Sequence, residues 1–399
     1  MKRVFVNGYG SIGRRVAALV GRDGEVELAG VGKASPRGLE AAMADGQRVH
    51  VPEAALAGLE GRGVAGSIES ALDSCDLVID CTPSGTGYEN KVALYEPRGL
   101  LAIYQGGETI HGRTAVSDTL FSSRTNYESA IGKRHVMQGS CNVTGIGKVA
   151  RPLAEAFAGR ITRLDVTLRR RWADIEQGGD IPDTIEMTPS PHHGEDVRSH
   201  MGDAVPVHVR AVKVPTRQMH VHVLDARFSG EAPPPGDIHA ALAGERAVAV
   251  HWGAHGTREI REFAGSSDAL ADTNMVHVHA EMTASRGDTA QVVYSDDQTG
   301  IVRPENHMRM QAMLFGRPHA EALARTESLF GLDRKKAALE ARFSREGAQS
   351  CRALSGCLTP FRRRCARRQA RPCRPRAVCP LGARAAGRLA SSASRRRGH

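Results

Sequence analysis

A cysteine set among small and polar residues, Gly139-Ser-Cys-Asn-Val-Thr-Gly145, is the strongest chemical signal in the chain. Upstream, Arg134 to Gln138 reads as the end of a strand. Downstream, Gly147 to Phe157 reads as a helix with Val149, Leu153 and Phe157 on one face. Cys141 therefore falls at or near a helix N-terminus. Backbone N–H groups and the helix dipole stabilise a thiolate there, lowering the pKa below the free value of ~8.5 and making a nucleophile. A buried structural cysteine is the bland alternative.

A nucleophilic thiol needs a partner. Gln218-Met-His-Val-His222 puts His220 and His222 on one face of a strand, and a Cys with a distant His is a candidate dyad. Arg169-Arg-Arg171 ends another strand, where three cations either form a solvated face or clamp a phosphate. His192-His-Gly-Glu-Asp196 lies in a Pro-flanked stretch read as a loop. Adjacent histidines without a third ligand at a standard spacing do not make a zinc site, and no metal is expected.

Near the N-terminus the chain reads strand, Gly-x-Gly-x-x-Gly, helix: Lys2 to Val6, Asn7 to Gly13, Arg14 to Val20. Gly8 permits the tight turn, Gly10 lets a pyrophosphate approach the backbone, and Gly13 lets helix and strand pack closely, the pattern of a dinucleotide site. The second strand, Val26 to Val31, is followed by Gly32-Lys-Ala-Ser-Pro36, with no acid to bind a ribose 2′-OH. Lys33 and Ser35 can instead hold a 2′-phosphate, although a lone loop lysine is commonly just solvated.

Around these groups, strands at Leu77–Cys81 and Leu100–Tyr104 alternate with helices up to about residue 139, giving a doubly wound (Rossmann) parallel sheet. Beyond Cys141, Ile161–Leu168, Val205–Val212, His220–Leu224 and Met275–Met282 alternate, implying an α+β catalytic domain with a mostly antiparallel sheet. Helical patterns follow at His307 to about Phe315 and at Glu321 to Leu329. The expected division is 1–139 for the dinucleotide domain, 140–302 for the catalytic domain and 303–332 for a helical segment returning to the first domain. Residues 333–399 form a tail, expected to be disordered from its composition.

The formal net charge of +10 is a property of that tail. Residues 351–399 hold 14 Arg, no Lys and no acid, while the first 350 residues hold 40 basic and all 44 acidic residues. Five cysteines (351, 357, 365, 373, 379) sit in the tail without zinc spacing. Cys75, Cys81 and Cys141 remain in the body, which fits a reducing, cytoplasmic setting. No apolar run reaches the ~18 residues of a membrane span, and the N-terminus enters a strand directly, without a signal peptide.

Together these residues resemble the archaeal-type (type II) phosphorylating glyceraldehyde-3-phosphate dehydrogenases, from residue 1 to about 332. The matching pieces occur in the family's order: Val6–Gly13, Gly30–Pro36, Ile79–Pro83, Gln105–Glu108, Ser140–Gly145, Arg170–Asp174, His192–Val197, Pro215–His220 and Pro304–Asn306. The resemblance implies that Cys141 is the nucleophile and His220 its partner, first stabilising the thiolate and then taking the hemiacetal proton. It implies substrate contacts at Ser140, Asn142, Thr144, Arg170, His193 and Gly194. Cofactor contacts are implied at Gly8, Gly10, Ser11, Ile12, Gly13, Lys33, Gly106, Arg171 and Gln298.

The implied activity is oxidation of glyceraldehyde 3-phosphate to 1,3-bisphosphoglycerate, in glycolysis or gluconeogenesis, through a Cys141 thioester. Inorganic phosphate is the second substrate, the cofactor is NADP or NAD with NADP preferred, and the assembly is a homotetramer. Trp172, Arg217-Gln218 and Asp297 depart from the family pattern. Another cysteine-dependent aldehyde or semialdehyde dehydrogenase is the alternative reading. Nucleic-acid binding through the Arg-rich tail is the alternative from another class, and no nucleic acid is expected.

Overall fold

The computed structural model describes residues 1–344, apart from positions 36, 37, 60, 106 and 190 and the side chains of 298–300. The Arg-rich stretch, with the expectation of disorder beyond 344, lies outside the described residues.

The first sheet contains β1 (Lys2–Asn7), β2 (Val26–Gly32), β3 (Val49–Val51), β4 (Gly66–Ser67), β5 (Leu77–Asp80), β6 (Leu101–Tyr104), β7 (Leu120–Phe121) and β8 (His135–Gln138). Its order is β4-β3-β2-β1-β5-β6-β8-β7, and every pairing is parallel. Connections leave β1 to one side and β5 to the other, so the switch point lies between them, where loops from both strands meet at their carboxyl ends.

The second sheet contains β9 (Ile161–Arg171), β10 (Glu186–Thr188), β11 (Val207–Val214), β12 (His220–Phe228), β13 (Val248–His251), β14 (Val276–His279), β15 (Ala284–Arg286) and β16 (Thr289–Asp296). The order is β10-β11-β9-β12-β16-β14-β13, with β15 on β16. The sheet is mixed: β11 runs parallel to β9 and β13 to β14. Each parallel pair is joined by a long crossover carrying a helix, His193–Met201 in one and Thr257–Gly265 in the other. The stretch read as a loop at His192–Asp196 is therefore mostly helix. Its run of polar residues shows no amphipathic period, yet Pro191 just before it suits a helix start.

Cys141–Ala156 forms the nucleophile helix. Val143, Ile146, Val149 and Leu153 are all fully buried in a core shared with Val78, Ala102 and Tyr104 of the first sheet and Leu164, Val166 and Leu224 of the second. Burial of this kind contributes about 1.5–3 kcal/mol per large aliphatic side chain. The helix is thus fixed against both sheets, and so is the residue at its start.

The helix expected from His307 starts nine residues earlier, at Gln298, and runs through Pro304 to Phe315. The boundary drawn at 302/303 falls inside it. Val302, Met308 and Met310 pack in the core of the first sheet. A helix follows at His319–Phe330, and another occupies Leu332–Arg342, where a tail was expected. Leu339 and the following Phe343 pack with Met219, Ile260 and Met275, which supplies the apolar burial that composition alone did not reveal. No described helix is long and apolar enough to cross a membrane.

Ion pairs lock this last helix down. Asp268 accepts Arg303 Nη2 at 2.6 Å and Lys335 Nζ at 3.1 Å, and the carboxylate is 6% exposed. Burial pushes the Asp268 carboxyl up, but Arg303 and Lys335 outweigh it and hold it at about 2. A carboxyl depressed on folding stabilises the fold above its unfolded pKa of ~3.9, and that stability is lost as pH falls through about 2. Asp268→Asn should cost about 3–5 kcal/mol at neutral pH, as expected for a broken buried pair. Urea titration checks this, and the variant should show less acid-induced loss than wild type between pH 4 and 2. A variant with wild-type stability would leave the ion pairs without a role.

Candidate active site

Ser140 caps the nucleophile helix, its Oγ accepting the Val143 N–H at 3.4 Å. Cys141 is the first helical residue and is 3% exposed. His220 is the first residue of β12, with Arg169 of β9 paired to Val221 on one side and Asp296 of β16 paired to His220 on the other. One row of the second sheet thus delivers the ends of β9 and β16 and the start of β12 beneath the helix N-terminus. Cys141 Sγ lies 3.2 Å from His220 Nε2. The Arg171 backbone N–H donates to His220 Nδ1 at 2.8 Å. Nδ1 is therefore an acceptor, and the proton of the neutral ring sits on Nε2, facing the sulfur.

The expected lowering of the thiol pKa is not found. Cys141 stands at the helix N-terminus, but burial pushes its thiol well above the ordinary range, and Asp296 pushes it further; Arg171 opposes them. Burial and Arg171 push His220 well below the usual imidazole value. Desolvation has overridden the helix dipole.

A cavity of about 300 Å³ opens over the pair, lined among others by Ser140, Asn142, Arg170, Arg171, His192 and His193. Burial and neighbouring His192 push His193 down to about 3, so it is neutral. Arg170 is half-buried on this cavity, and among the described residues its guanidinium has no ion pair or hydrogen bond. Arg171 differs: it is 6% exposed, and its guanidinium is held by Asp297 and Asp174. Asp297 also holds Arg261. Thr144 does not join the cavity lining; it is fully buried, with its hydroxyl on the Gly139 carbonyl at 3.5 Å. Gly194 is likewise absent from the lining, and sits against Val209.

At the first sheet, Gly8 has a φ of 103°, and a Cβ there would meet the Cys81 carbonyl oxygen at 2.6 Å. A Cβ on Gly13 would lie 1.9 Å from the Gly8 oxygen, whereas one on Gly10 would meet nothing within 4 Å. The loop is closed tightly beneath and open above Gly10, as a pyrophosphate cradle requires. Ser11 and half-buried Ile12 begin the following helix. The Ser11 hydroxyl donates to Glu176 Oε2 at 2.7 Å, and Arg15 reaches the other oxygen of Glu176 at the same distance. Lys33, half-buried, donates to the Tyr9 carbonyl at 3.3 Å. Gly106 and the Gln298 side chain lie outside the described residues.

No family model matches the chain. It is 35% identical over 348 residues to glyceraldehyde-3-phosphate dehydrogenase 2 of Methanosarcina acetivorans, an alignment covering 83% of this chain and 99% of that protein. The chain belongs to the archaeal-type glyceraldehyde-3-phosphate dehydrogenase family. The glyceraldehyde-3-phosphate dehydrogenase of Archaeoglobus fulgidus is 33% identical over 348 residues, with 83% and 98% of the two chains covered. That of Methanococcoides burtonii is 38% identical over 273 residues, covering 66% and 78%.

The residues read from the sequence as departures from the glyceraldehyde-3-phosphate dehydrogenase pattern have clear contacts. Trp172 lies under the Lys213 ammonium, 5.1 Å from ring centroid to Nζ. Arg217 donates to the carbonyls of Gln177, at 3.0 Å, and Gly179. These two contacts hold the segment from Trp172 to Gly179, part of which lines the cavity. Sequence reasoning missed Asp174, Glu176, Arg261 and Asp296, because isolated acids and a helical arginine carry no motif until the fold gathers them.

Proposed function

We propose that the chain oxidises glyceraldehyde 3-phosphate and transfers the acyl group to inorganic phosphate, with a nicotinamide dinucleotide as oxidant. The observation that carries this reading is the 3.2 Å approach of Cys141 Sγ to His220 Nε2 under a cavity bearing Arg170, in a chain of this family. Gly8, Gly10, Ser11, Ile12 and Gly13 would hold the pyrophosphate, for which the open face of Gly10 leaves room. The Ser11 hydroxyl would turn from Glu176 toward the pyrophosphate, and Glu176 would keep Arg15. When bound, the cofactor supplies the hydride acceptor.

The Cys141 thiolate adds to the aldehyde carbon, and the carbonyl electron pair becomes an oxyanion. His220 starts here as a donor. Its Nε2–H stabilises first the sulfur and then the oxyanion, while Nδ1 stays on the Arg171 N–H. Because the thiolate supplies the electron pair, no hemiacetal proton has to be removed. Loss of hydride leaves a thioester, and attack by phosphate returns the thiolate. Helix N–H groups and the Asn142 amide are further oxyanion donors, a contribution of ~3 kcal/mol in comparable sites. Arg170 is placed to hold the substrate phosphate. The deciding assay supplies glyceraldehyde 3-phosphate, phosphate, and NAD or NADP in turn. Turnover of aspartate semialdehyde without turnover of glyceraldehyde 3-phosphate would transfer the chain to the alternative dehydrogenase reading.

For the cofactor we propose dual use with NADP bound more tightly. Lys33 brings its charge to the end of β2, where no acid would repel a 2′-phosphate. A charge-assisted contact contributes ~1.5–3 kcal/mol, and ~1.4 kcal/mol is tenfold. Screening and lost rotamer freedom reduce this to the lower end. Lys33→Ala should weaken NADP severalfold and leave NAD nearly unchanged in fluorescence titrations. Equal weakening of both cofactors would remove Lys33 from this role. The resemblance also carries a homotetramer, which sedimentation of the purified chain checks.

A further inference from the structure

The segment from Trp172 to Gly179 serves two places at once. Trp172, Ala173, Asp174 and Gln177 line the cavity over Cys141. Glu176, between them in sequence, reaches instead to the glycine-rich loop of the first sheet, where Oε2 accepts the Ser11 hydroxyl at 2.7 Å. Its other oxygen takes Arg15 Nη2, also at 2.7 Å, and Arg15 Nη1 donates to the Ser11 carbonyl at 2.9 Å. Ser11 is the first residue of the helix that follows Gly10. One carboxylate is thus tied to the start of this helix directly and through Arg15.

Glu176 is also the outer end of a chain of ion pairs. Arg15 Nε lies 3.0 Å from Asp272, Asp272 lies 3.1 Å from Arg303 Nε, and Arg303 and Lys335 share Asp268. Carboxylates and cations alternate along it, three of each, so removing the charge of Glu176 leaves a surplus cation behind the loop. Arg15 and Asp272 are buried, whereas the Glu176 side chain is 33% exposed and can be reached by a ligand. Burial pushes the Glu176 carboxyl up, but Arg15 and Ser11 outweigh it and hold it below its usual range, so it is ionised at neutral pH. An anion fixed beside this helix N-terminus opposes a second anion there. The helix N–H groups and the Ser11 hydroxyl are the donors a pyrophosphate would use. Glu176 holds that hydroxyl, and buried Arg15 keeps the carboxylate in place after the hydroxyl turns away.

We infer that Glu176 limits the affinity for the dinucleotide by competing with its pyrophosphate for the Ser11 hydroxyl. This rests on the reading of Gly8 to Gly13 as the pyrophosphate cradle. The restraint acts on a part common to NAD and NADP, so it is separate from the choice between them at Lys33. Differences in affinity are expressed mostly in dissociation, so the same contact hastens release of the reduced cofactor.

The test is isothermal titration calorimetry of the full-length protein with NAD, NADP, ADP-ribose and adenosine, without substrate. Glu176→Gln keeps the shape and removes the charge. It should bind NAD, NADP and ADP-ribose roughly three- to tenfold more tightly than wild type, by one common factor, as fits a charged contact partly open to solvent. Adenosine, which has no phosphate, should bind both proteins alike. The gap should narrow as salt is added. Ser11→Ala in the otherwise wild-type chain should weaken NAD less than about threefold, because the cofactor gains the hydroxyl only by taking it from Glu176. Unchanged or weaker dinucleotide binding by Glu176→Gln would overturn the inference, as would an equal gain for adenosine. If that variant does not fold, Ser11→Ala still decides: a larger loss would show a hydroxyl freely available to the cofactor. Failure of wild type and every variant to bind NAD or NADP would overturn the dinucleotide reading and this inference with it. Equal affinities in wild type and Glu176→Gln would overturn this inference alone.

Discussion

Cys141→Ser should abolish aldehyde oxidation, with a loss on the order of 10⁴-fold or more, the scale reached when a covalent nucleophile is removed. The two side chains are nearly isosteric, so folding and cofactor binding should survive. The chemistry does not. Burial already pushes the thiol well above its ordinary range, and a hydroxyl starts several units higher. The His220 Nε2–H cannot sustain an alkoxide from it near neutral pH. His220→Asn should be milder, about 10²–10⁴-fold, because the sulfur remains but loses its donor. The same variant should need more alkaline solution for alkylation of Cys141. Steady-state rates with circular dichroism and cofactor titration separate these outcomes from unfolding. Full activity in Cys141→Ser would remove the covalent mechanism altogether.

The parts of the site that follow from local rules were legible in the sequence. The Gly-rich turn between β1 and its helix, Cys141 at a helix start and His220 on a strand all depend on neighbours within a few residues. The short strands β3, β4 and β7 were not, since two or three residues show no period. Gln298–Phe315 was misplaced for a different reason. Its Arg303, Glu305, Asn306, His307, Arg309 and Gln311 are all buried, so polarity there does not mark a solvent face. Partners far away in sequence satisfy them, as when Glu305 takes Lys148 Nζ at 2.7 Å and Asn306 meets Gln105 at 2.9 Å. The thiol pKa failed in the same way. The helix dipole can be read from the sequence, but the depth of burial and the arrival of Asp296 belong to the tertiary fold.

Asp297 provides the second large expected effect, this time on stability. It is 1% exposed and binds the guanidinium groups of Arg171 and Arg261, themselves 6% and 5% exposed. One carboxylate thus serves two buried cations. Asp297→Ala leaves Arg171 with Asp174, whose side chain is 21% exposed, and takes from Arg261 one of its partners. Breaking a buried pair by removing one member costs about 3–5 kcal/mol, because the other charge stays desolvated. Domains of ordinary stability have about 5–15 kcal/mol in all, so a third or more of the total is at stake. Asp297→Asn keeps an acceptor for one guanidinium and should lose less. Asp174→Ala should lose less again, since solvent reaches that carboxylate. Activity should fall further than stability alone predicts, because the Arg171 backbone N–H holds His220 and a displaced β9 end frees the ring. Urea titrations of the three variants, with kcat measured at a temperature where each is folded, separate the two effects. If Asp297→Ala unfolds within about 1 kcal/mol of wild type, the paired arginines are supported elsewhere and the site does not depend on this carboxylate.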